Sequence, residues 1–490
     1  MDLPVVPTPV RGDRLEGRPF RVTGATRVVV GGDDPAAVET AVLLATRIGD
    51  ELGVAIPVTR PRDRSDVVEL RIVVDPGLLP VPRDLPAELA AEAYRLEVDH
   101  ERVVLSALDA RGLLRGLATL DQLARRTEHG VLVPPVLVVD HPRYPWRGLC
   151  LDLARHWFGP ETLRLLVRVM YGLKLNTLHL HLTDDQGWRI ESPSHPALTR
   201  VSGGTAVGGD PGGFLTLAEY GALATFADAR AITVVPEIDL PGHVHAALHA
   251  LPALVPGRER RPAYAGVGVG FSRLQAELPA TLPFVTDVLT ELAAATPGPY
   301  LHIGGDEALT MHAAEYHALV RHAAAVVARS GKTVVAWQEA VRALPAGSLV
   351  QYWDERHSRP DPGAAAEVGA RVIMSPASRL YLDMRYDSRT PMGGDWAGYI
   401  DLARAYRWDP GGLLELPKGT VAGVEAALWT ENVRTPTELF TLLLPRLAAA
   451  AEVAWSPGAR RDYQGFVARA RRLGRRWDAL GVPWHRAALD

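Results

Sequence analysis

Tyr300-Leu301-His302-Ile303-Gly304-Gly305-Asp306-Glu307 opens as a short apolar run, turns on two glycines and delivers two neighbouring acids. Glycines at such a turn let backbone come close to a ligand. In a parallel α/β sheet the carboxyl end of a strand is where ligands bind. Two carboxylates in one cleft resist joint ionisation, so one can stay protonated near neutral pH and serve as an acid. That chemistry suits a polar, uncharged substrate. A second reading stands beside it: acids gathered at a helix N-terminus, where the helix dipole favours them.

The stretches on either side of this octapeptide repeat its plan. From Trp146 onward the sequence alternates strand and helix, with strands expected at 147–152, 177–182, 232–238, 300–303, 333–337, 348–353, 371–375 and 423–429. Helix starts are marked by two capping boxes, Thr216-Leu217-Ala218-Glu219 and Thr435-Pro436-Thr437-Glu438, in which the first and last side chains satisfy one another's backbone donors. Gly331 stops the helix that ends near Ser330. Eight near-continuous apolar strands alternating with helices predict a (β/α)8 TIM barrel, whose strands are buried on both faces. Residues 462–480 read as a final amphipathic helix.

The first part of the chain reads differently. Short β-branched runs at 27–30, 67–74, 94–98 and 102–107 interleave with two helices. One helix opens at Asp34-Pro35, a cap followed by proline in the first turn. The other spans 111–125, with leucines at 113, 114, 117, 120 and 123 on a helical period. This predicts a small α+β domain ending among the prolines of 134–145. The division is set at 1–141 for that domain and 142–490 for the barrel with its C-terminal helix.

Composition narrows the function classes. At 490 residues and 47% hydrophobic content the chain can bury large cores, and its net charge of −4 gives no case for nucleic acid or an anionic membrane. The runs Arg471-Arg472 and Arg475-Arg476 read as a solvated helix face. Cys150 is the single cysteine, which excludes an intrachain disulfide and a thiolate metal cluster. It lies in an apolar strand and reads as a small buried hydrophobe. The sequence opens without a basic or apolar leader, and no apolar stretch reaches the length of a membrane span. As it stands the chain reads as soluble and cytoplasmic, or secreted if a leader has been removed.

In a barrel, catalytic groups sit just past the strand ends. Here those positions hold Arg155-His156-Trp157, Asp184-Asp185-Gln186-Gly187-Trp188, Glu237-Ile238-Asp239-Leu240-Pro241-Gly242-His243, Asp306-Glu307, Trp337, Gln351-Tyr352-Trp353, then Tyr381, Asp383 and Trp396, and finally Trp429-Thr430-Glu431. One arginine, several carboxylates, a histidine and a run of tryptophans at one rim make a sugar pocket. Indoles stack on the apolar faces of a pyranose while charged groups bind its hydroxyls. The eleven tryptophans among thirteen tyrosines and eight phenylalanines fit that chemistry.

With these motifs in order, the chain resembles the retaining β-N-acetylhexosaminidases of glycoside hydrolase family 20, especially the bacterial exo-acting ones. The resemblance rests on Leu151-Asp152-Leu153-Ala154-Arg155-His156, on Leu178-His179-Leu180-His181-Leu182-Thr183-Asp184-Asp185-Gln186-Gly187-Trp188, on Pro236 to His243, on His302 to Glu307 and on Leu428-Trp429-Thr430-Glu431. It runs from about residue 20 to the C-terminus. It implies substrate-assisted catalysis, an exception to the usual two-carboxylate scheme. Glu307 is then the general acid and base, Asp306 orients the 2-acetamido group and stabilises its charge, and Tyr381 donates to the acetamido oxygen. Asp184 and His243 form a pair that supports Glu307. Arg155, Asp383 and Glu431 hold hydroxyls of the terminal sugar. Trp337, Trp353 and Trp429 wall the pocket, and Trp396 stacks near the aglycone. The substrates implied are β-linked N-acetylglucosaminides or N-acetylgalactosaminides, chito-oligosaccharides or glycans, with no cofactor, no metal, no nucleic acid and no membrane partner. Some secreted relatives brace the long loop after the third strand with a disulfide; 246–282 has no cysteine here, which predicts a loop held by packing alone or mobile.

Read without the resemblance, the residues keep other possibilities open. Arg155 can simply neutralise the rim acids, and Asp184 with His243 can be a structural ion pair. His179-Leu180-His181 is an HxH pair that, with His302 and Asp306, would suit a metal-dependent hydrolase. Because both histidines precede the strand end, core histidines are the favoured reading. A sugar-binding protein without activity is the non-enzyme alternative, since fold alone does not fix function.

Overall fold

Eight parallel strands close into one barrel: β1 (Trp146–Asp152), β2 (Thr177–His181), β3 (Thr233–Glu237), β4 (Tyr300–His302), β5 (Thr333–Trp337), β6 (Leu349–Tyr352), β7 (Arg371–Met374) and β8 (Val421–Leu428). The structure is a computed structural model that describes residues 3–31, 35–52, 55–59, 67–72, 79, 81–128, 130–356 and 363–489. β1 closes the ring, pairing Asp152 with His181 of β2 and Leu151 with Leu428 of β8. Each expected strand is present within two residues of its expected ends. Both capping boxes form, at Thr216/Glu219 and Thr435/Glu438. Gly331, at φ +74°, follows the helix Ala313–Arg329 as expected. The C-terminal helix runs Tyr463–Ala479 with the Asp462 side chain as its cap.

The barrel interior is unusual in composition. Its lower part is apolar, from Trp146, Val235, Val335, Leu349, Ile373 and Ala422. One layer higher, where barrels commonly continue with Val, Ile and Leu, the buried side chains include His179, Glu237, His302, Gln351 and Glu425. Residues two apart on a strand share a face, so Val235 and Glu237 on β3, and His179 and His181 on β2, point into the same interior.

The N-terminal domain is a seven-stranded mixed sheet in the order Arg11–Arg14, Val136–Asp140, Tyr94–Val98, Arg102–Ala107, Val67–Ile72, Arg27–Gly31, Val58–Thr59. Two long helices, Pro35–Leu52 and Ala110–Leu123, and the short Ala87–Ala90 accompany it. The helix expected to reach 125 stops at Leu123, because Arg125–Thr127 pairs as a strand with Gly130–Val133. Asp34, expected as a cap, and Val73 and Val74, expected at a strand end, lie outside the described residues. The proline-rich stretch is not all linker: Val136–Asp140 pairs with Tyr94–Val98 and with Arg11–Arg14. Sheet residues and the leucines of Ala110–Leu123 form one core. The two cores interlock, since Leu114 and Ala118 of that helix pack into the barrel's core while Trp455 reaches into the other. Among the described residues no helix is long and apolar enough to cross a membrane.

Candidate active site

Asp306 and Glu307 lie in the loop after β4, and the next helix begins only at Ala313. They are not the acidic start of a helix, which disposes of the alternative reading. The backbone there is tightly wound: Gly304 has φ +68°, Gly305 +106° and Glu307 itself +45°. A non-glycine residue held in that region costs energy and recurs at sites whose geometry is imposed by function. A Cβ on Gly304 would fall 1.7 Å from Asp239 Oδ1, so only glycine fits. The turn is fixed by Gly305 N donating to Asp239 Oδ1 (3.1 Å), Trp337 N to Gly304 O (2.9 Å) and the Tyr316 hydroxyl to Gly305 O (2.5 Å). Asp306 is buried, while Glu307 is half-buried.

His243, another left-handed residue at φ +52°, is brought beside both acids from the loop after β3. Its Nε2 is 3.4 Å from Glu307 Oε2 and 3.8 Å from Asp306 Oδ2. Its Nδ1 is 3.1 Å from Asp184 Oδ1. Asp184 is claimed on its other oxygen by His181 Nε2 and Arg155 Nη2, both at 2.8 Å. Burial pushes the Asp184 carboxyl up, but Arg155 and His243 more than offset it and hold it well below its usual range. Asp306 goes the other way. Burial first, opposed by His243 and reinforced by the charge of Glu307, pushes its carboxyl up to about 6.

Asp152, at the end of β1, ties two strand ends together. It accepts from Ala154 N (2.8 Å) and Arg155 N (3.1 Å) with one oxygen, and from Thr430 N and Oγ1 (both 3.0 Å) with the other. This sets Arg155 beside Glu431, 3.8 Å away, with its guanidinium 5.2 Å from the ring centroid of Trp429. Asp383 lies near Glu431, and burial plus that neighbour's charge push it well above its ordinary value. Its buried Oδ1 has no hydrogen-bond partner in the structure.

The aromatic residues line up around one space. Tyr381 stacks parallel to Trp353 (6.1 Å, 9°) and meets Trp429 (6.0 Å) and Trp396 (5.7 Å) edge-on. Trp429 contacts Trp337 at 5.9 Å. Leu382 N donates to Ala427 O (2.7 Å), which holds Tyr381 against the top of β8. Trp337 is fully enclosed, whereas Trp396, at 47% exposure, stands at the mouth. Every site residue expected from sequence is therefore drawn to one rim of the barrel.

The family model for the glycosyl hydrolase family 20 catalytic domain matches residues 144–319 and 310–458, and the model for domain 2 of that family matches residues 2–141. The chain belongs to glycosyl hydrolase family 20. It is 48% identical to a β-N-acetylhexosaminidase of Cellulomonas fimi over 99% of its own length and 96% of that protein's. It superposes on the family 20 β-N-acetylhexosaminidase of Streptomyces coelicolor with a TM-score of 0.90 at 37% identity, covering 99% and 97% of the two chains. A mutant Streptomyces plicatus β-hexosaminidase in complex with its product GlcNAc gives 0.89 at 38% identity, covering 99% and 96%. The chain is thus a glycoside hydrolase of the β-N-acetylhexosaminidase kind.

Several residues of this family 20 site went unassigned in the sequence. Asp239, two positions beyond β3, faces Asp306 and is pushed well above its ordinary value, by burial and then by Asp306. Glu339, two positions beyond β5, accepts from Trp353 Nε1 (3.3 Å) and is pushed up to about 8 by burial and by Asp306. Both are acids just past a strand end, the signal that found Asp306. Glu237 is the larger omission, as a buried acceptor for His179, His181 and Trp337. The HxH pair is committed to such bonds: His179 faces Glu425 (2.9 Å) and Glu237 (3.0 Å), and His181 faces Glu237 (2.5 Å) and Asp184 (2.8 Å). His302 shares that interior group with Glu237, while Asp306 belongs to a separate one with Asp239 and His243.

The loop after β3 corrects an expectation, for packing alone does not hold it. Ser272 Oγ donates to Asp185 and accepts from Val244 N (2.9 Å), and Asp185 accepts from His245 N (3.0 Å). Glu315 takes Arg273 Nη1 (2.7 Å) and Ala276 N (3.1 Å), and Gln186 Nε2 donates to Gly266 O (2.9 Å). Cys150 behaves as expected: it is buried and its thiol is pushed up to about 11, chiefly by burial and against the pull of His179.

Proposed function

We propose that the enzyme is an exo-acting, retaining β-N-acetylhexosaminidase that removes terminal N-acetylglucosamine or N-acetylgalactosamine with the substrate's own acetamido group as nucleophile. The observation that carries this reading is the pair Asp306-Glu307 in one strained turn, with His243 facing both carboxyls. An ordinary retaining enzyme sets two carboxyls about 5–5.5 Å apart across the scissile bond. Consecutive residues, with Cα atoms about 3.8 Å apart, approach from one side, and suit one acid at the leaving oxygen with its neighbour at the 2-substituent.

In the first step Glu307 protonates the glycosidic oxygen as the acetamido carbonyl oxygen attacks the anomeric carbon. The C–O bond to the aglycone breaks, and an oxazolinium ion forms. Asp306, as carboxylate, accepts from the acetamido N–H and offsets the charge growing there. Tyr381 donates to the acetamido oxygen and aims it. In the second step Glu307 takes a proton from water, which attacks the same carbon and opens the ring with net retention. Asp184 and His243 hold the Glu307 carboxyl in place. Arg155, Asp383 and Glu431 take the hydroxyls of the terminal sugar, Trp337, Trp353 and Trp429 enclose it, and Trp396 meets the aglycone. The catalytic unit is 142–490, with 1–141 outside the chemistry. The Streptomyces plicatus enzyme with GlcNAc in place supports the substrate class.

Turnover of the 4-nitrophenyl β-glycosides of N-acetylglucosamine and of glucose, with EDTA present, tests this. Hydrolysis of the acetamido sugar alone is expected. Equal turnover of both would demand a protein nucleophile and remove the role given to Asp306; a loss restored by zinc would bring back the metal hydrolase. Glu307→Gln should lose most activity on poor leaving groups and far less on activated aryl glycosides, which need little protonation.

A further inference from the structure

The hydrogen bonds that end at Glu307 do not begin at Asp184. They run as one column up the barrel interior: Glu425 to His179 (2.9 Å), His179 to Glu237 (3.0 Å), Glu237 to His181 (2.5 Å), His181 to Asp184 (2.8 Å) and Asp184 to His243 (3.1 Å), with His243 Nε2 then 3.4 Å from Glu307. Carboxylate and imidazole alternate at every step. His179 and His181 each face a carboxylate with both ring nitrogens. A neutral imidazole has only one N–H, so both must be cations to donate in both directions. Glu237 is the hub. It accepts from His179, His181 and Trp337 Nε1 (2.9 Å), and His302 Nδ1 is also 2.9 Å away.

Such a column is a costly way to fill a barrel. Buried ion pairs can often be replaced by apolar side chains without loss of stability, and the layer below is made in just that way. What the charged layer supplies is a fixed direction for Asp184. His181 and Arg155 take Oδ2, which leaves Oδ1 to His243 Nδ1 and to Asp185 N (2.6 Å). His243 then points Nδ1 at Asp184 and Nε2 at Glu307, which must lose and regain a proton in each turnover.

We propose that Glu237 and His181 are positioning residues for the glycosidase reaction, acting through Asp184 and His243 to set the orientation and proton state that Glu307 meets. The surrounding electrostatics agree. Burial disfavours the charged form of His179, His181 and His243, yet the carboxylates around His181 and His243, and Cys150 followed by Glu237 around His179, hold all three well above the ordinary histidine range. Glu237 sits well below the usual carboxylate range, since His302, His181 and His179 outweigh its burial.

This inference rests on Glu307 being the acid, so Glu307→Gln serves as the control. Because kcat/KM reports leaving-group departure, it is measured for chitobiose and for the 2,4-dinitrophenyl glycoside of N-acetylglucosamine. Glu237→Gln and His181→Asn should each lose about tenfold or more on chitobiose and less than about threefold on the dinitrophenyl glycoside. Equal losses on both substrates would mean a merely structural role. If the Glu307→Gln control itself shows no such selectivity, the function reading fails; if it does and the two variants do not, only the column fails. Nitrogen-15 histidine spectra of the unaltered enzyme need no variant to fold. Both ring nitrogens of His181 should carry protons at pH 8, and one bare nitrogen there would overturn the proposal.

Discussion

Asp306 is where burial and chemistry oppose one another. The proposed mechanism needs a carboxylate beside the acetamido nitrogen, and the site pushes that carboxyl from 3.8 up to about 6 through burial and the neighbouring charge of Glu307, against His243. A group raised in this way favours the folded state fully below its unfolded value and loses that contribution as pH rises through the folded value. Asp306→Asn removes the buried charge. It should therefore raise Tm at pH 8 and leave it little changed at pH 4, by differential scanning calorimetry, while cutting turnover. In the unaltered enzyme kcat/KM should fall as pH drops below about 6, and the acid limb of the pH profile should be missing in the variant's residual activity.

At the scale of elements, the site is made by strand ends tied to one another. Asp152 joins the ends of β1 and β8, and Asp239 joins the loop after β3 to the Gly304-Gly305 turn. Gly304→Ala puts a side chain at φ +68° and 1.7 Å from Asp239 Oδ1. A strained left-handed position costs about 1–3 kcal/mol by itself, and the clash adds to it. The variant should lose several-fold or more in kcat and unfold at lower denaturant, and wild-type values for both in urea titration and kinetics would refute this account of the turn.

At the scale of the whole molecule, the two domains are joined by buried charge. Glu92 of the N-terminal domain receives Arg115 Nε (2.6 Å) from the helix Ala110–Leu123 of the same domain and Arg147 Nη2 from β1, and Asn176 Nδ2 reaches it at 3.4 Å. Burial pushes Glu92 up, but Arg147 and Arg115 together hold it below its usual value. Its contribution to stability is thus present above pH 4.5 and lost as pH falls through the lower folded value. Glu92→Gln leaves two buried guanidiniums facing a neutral amide, which should cost about 3–5 kcal/mol at pH 7. The deficit should shrink toward acid pH, with kcat/KM of the folded fraction unchanged. A loss of activity at full stability would mean the N-terminal domain takes part in the chemistry.

The sequence alone specified the barrel, because apolar runs of strand length between capped helices have few other ways to be buried. It placed Glu307, Asp306, Arg155 and the tryptophans at one rim for a related reason: their positions past strand ends are a property of local order. It left Val136–Asp140 hidden among prolines, since a strand that pairs with residues 94–98 and 11–14 is recognised by its partners rather than by its own pattern. Nor could it say that His179 faces Glu237 and Glu425 or that His181 faces Glu237, because those partners come from other strands. Which carboxyl is pushed up, and which is held down, was also decided by the tertiary structure. Burial and neighbouring charge are set by where the chain returns, and a spacing along the sequence does not contain that distance.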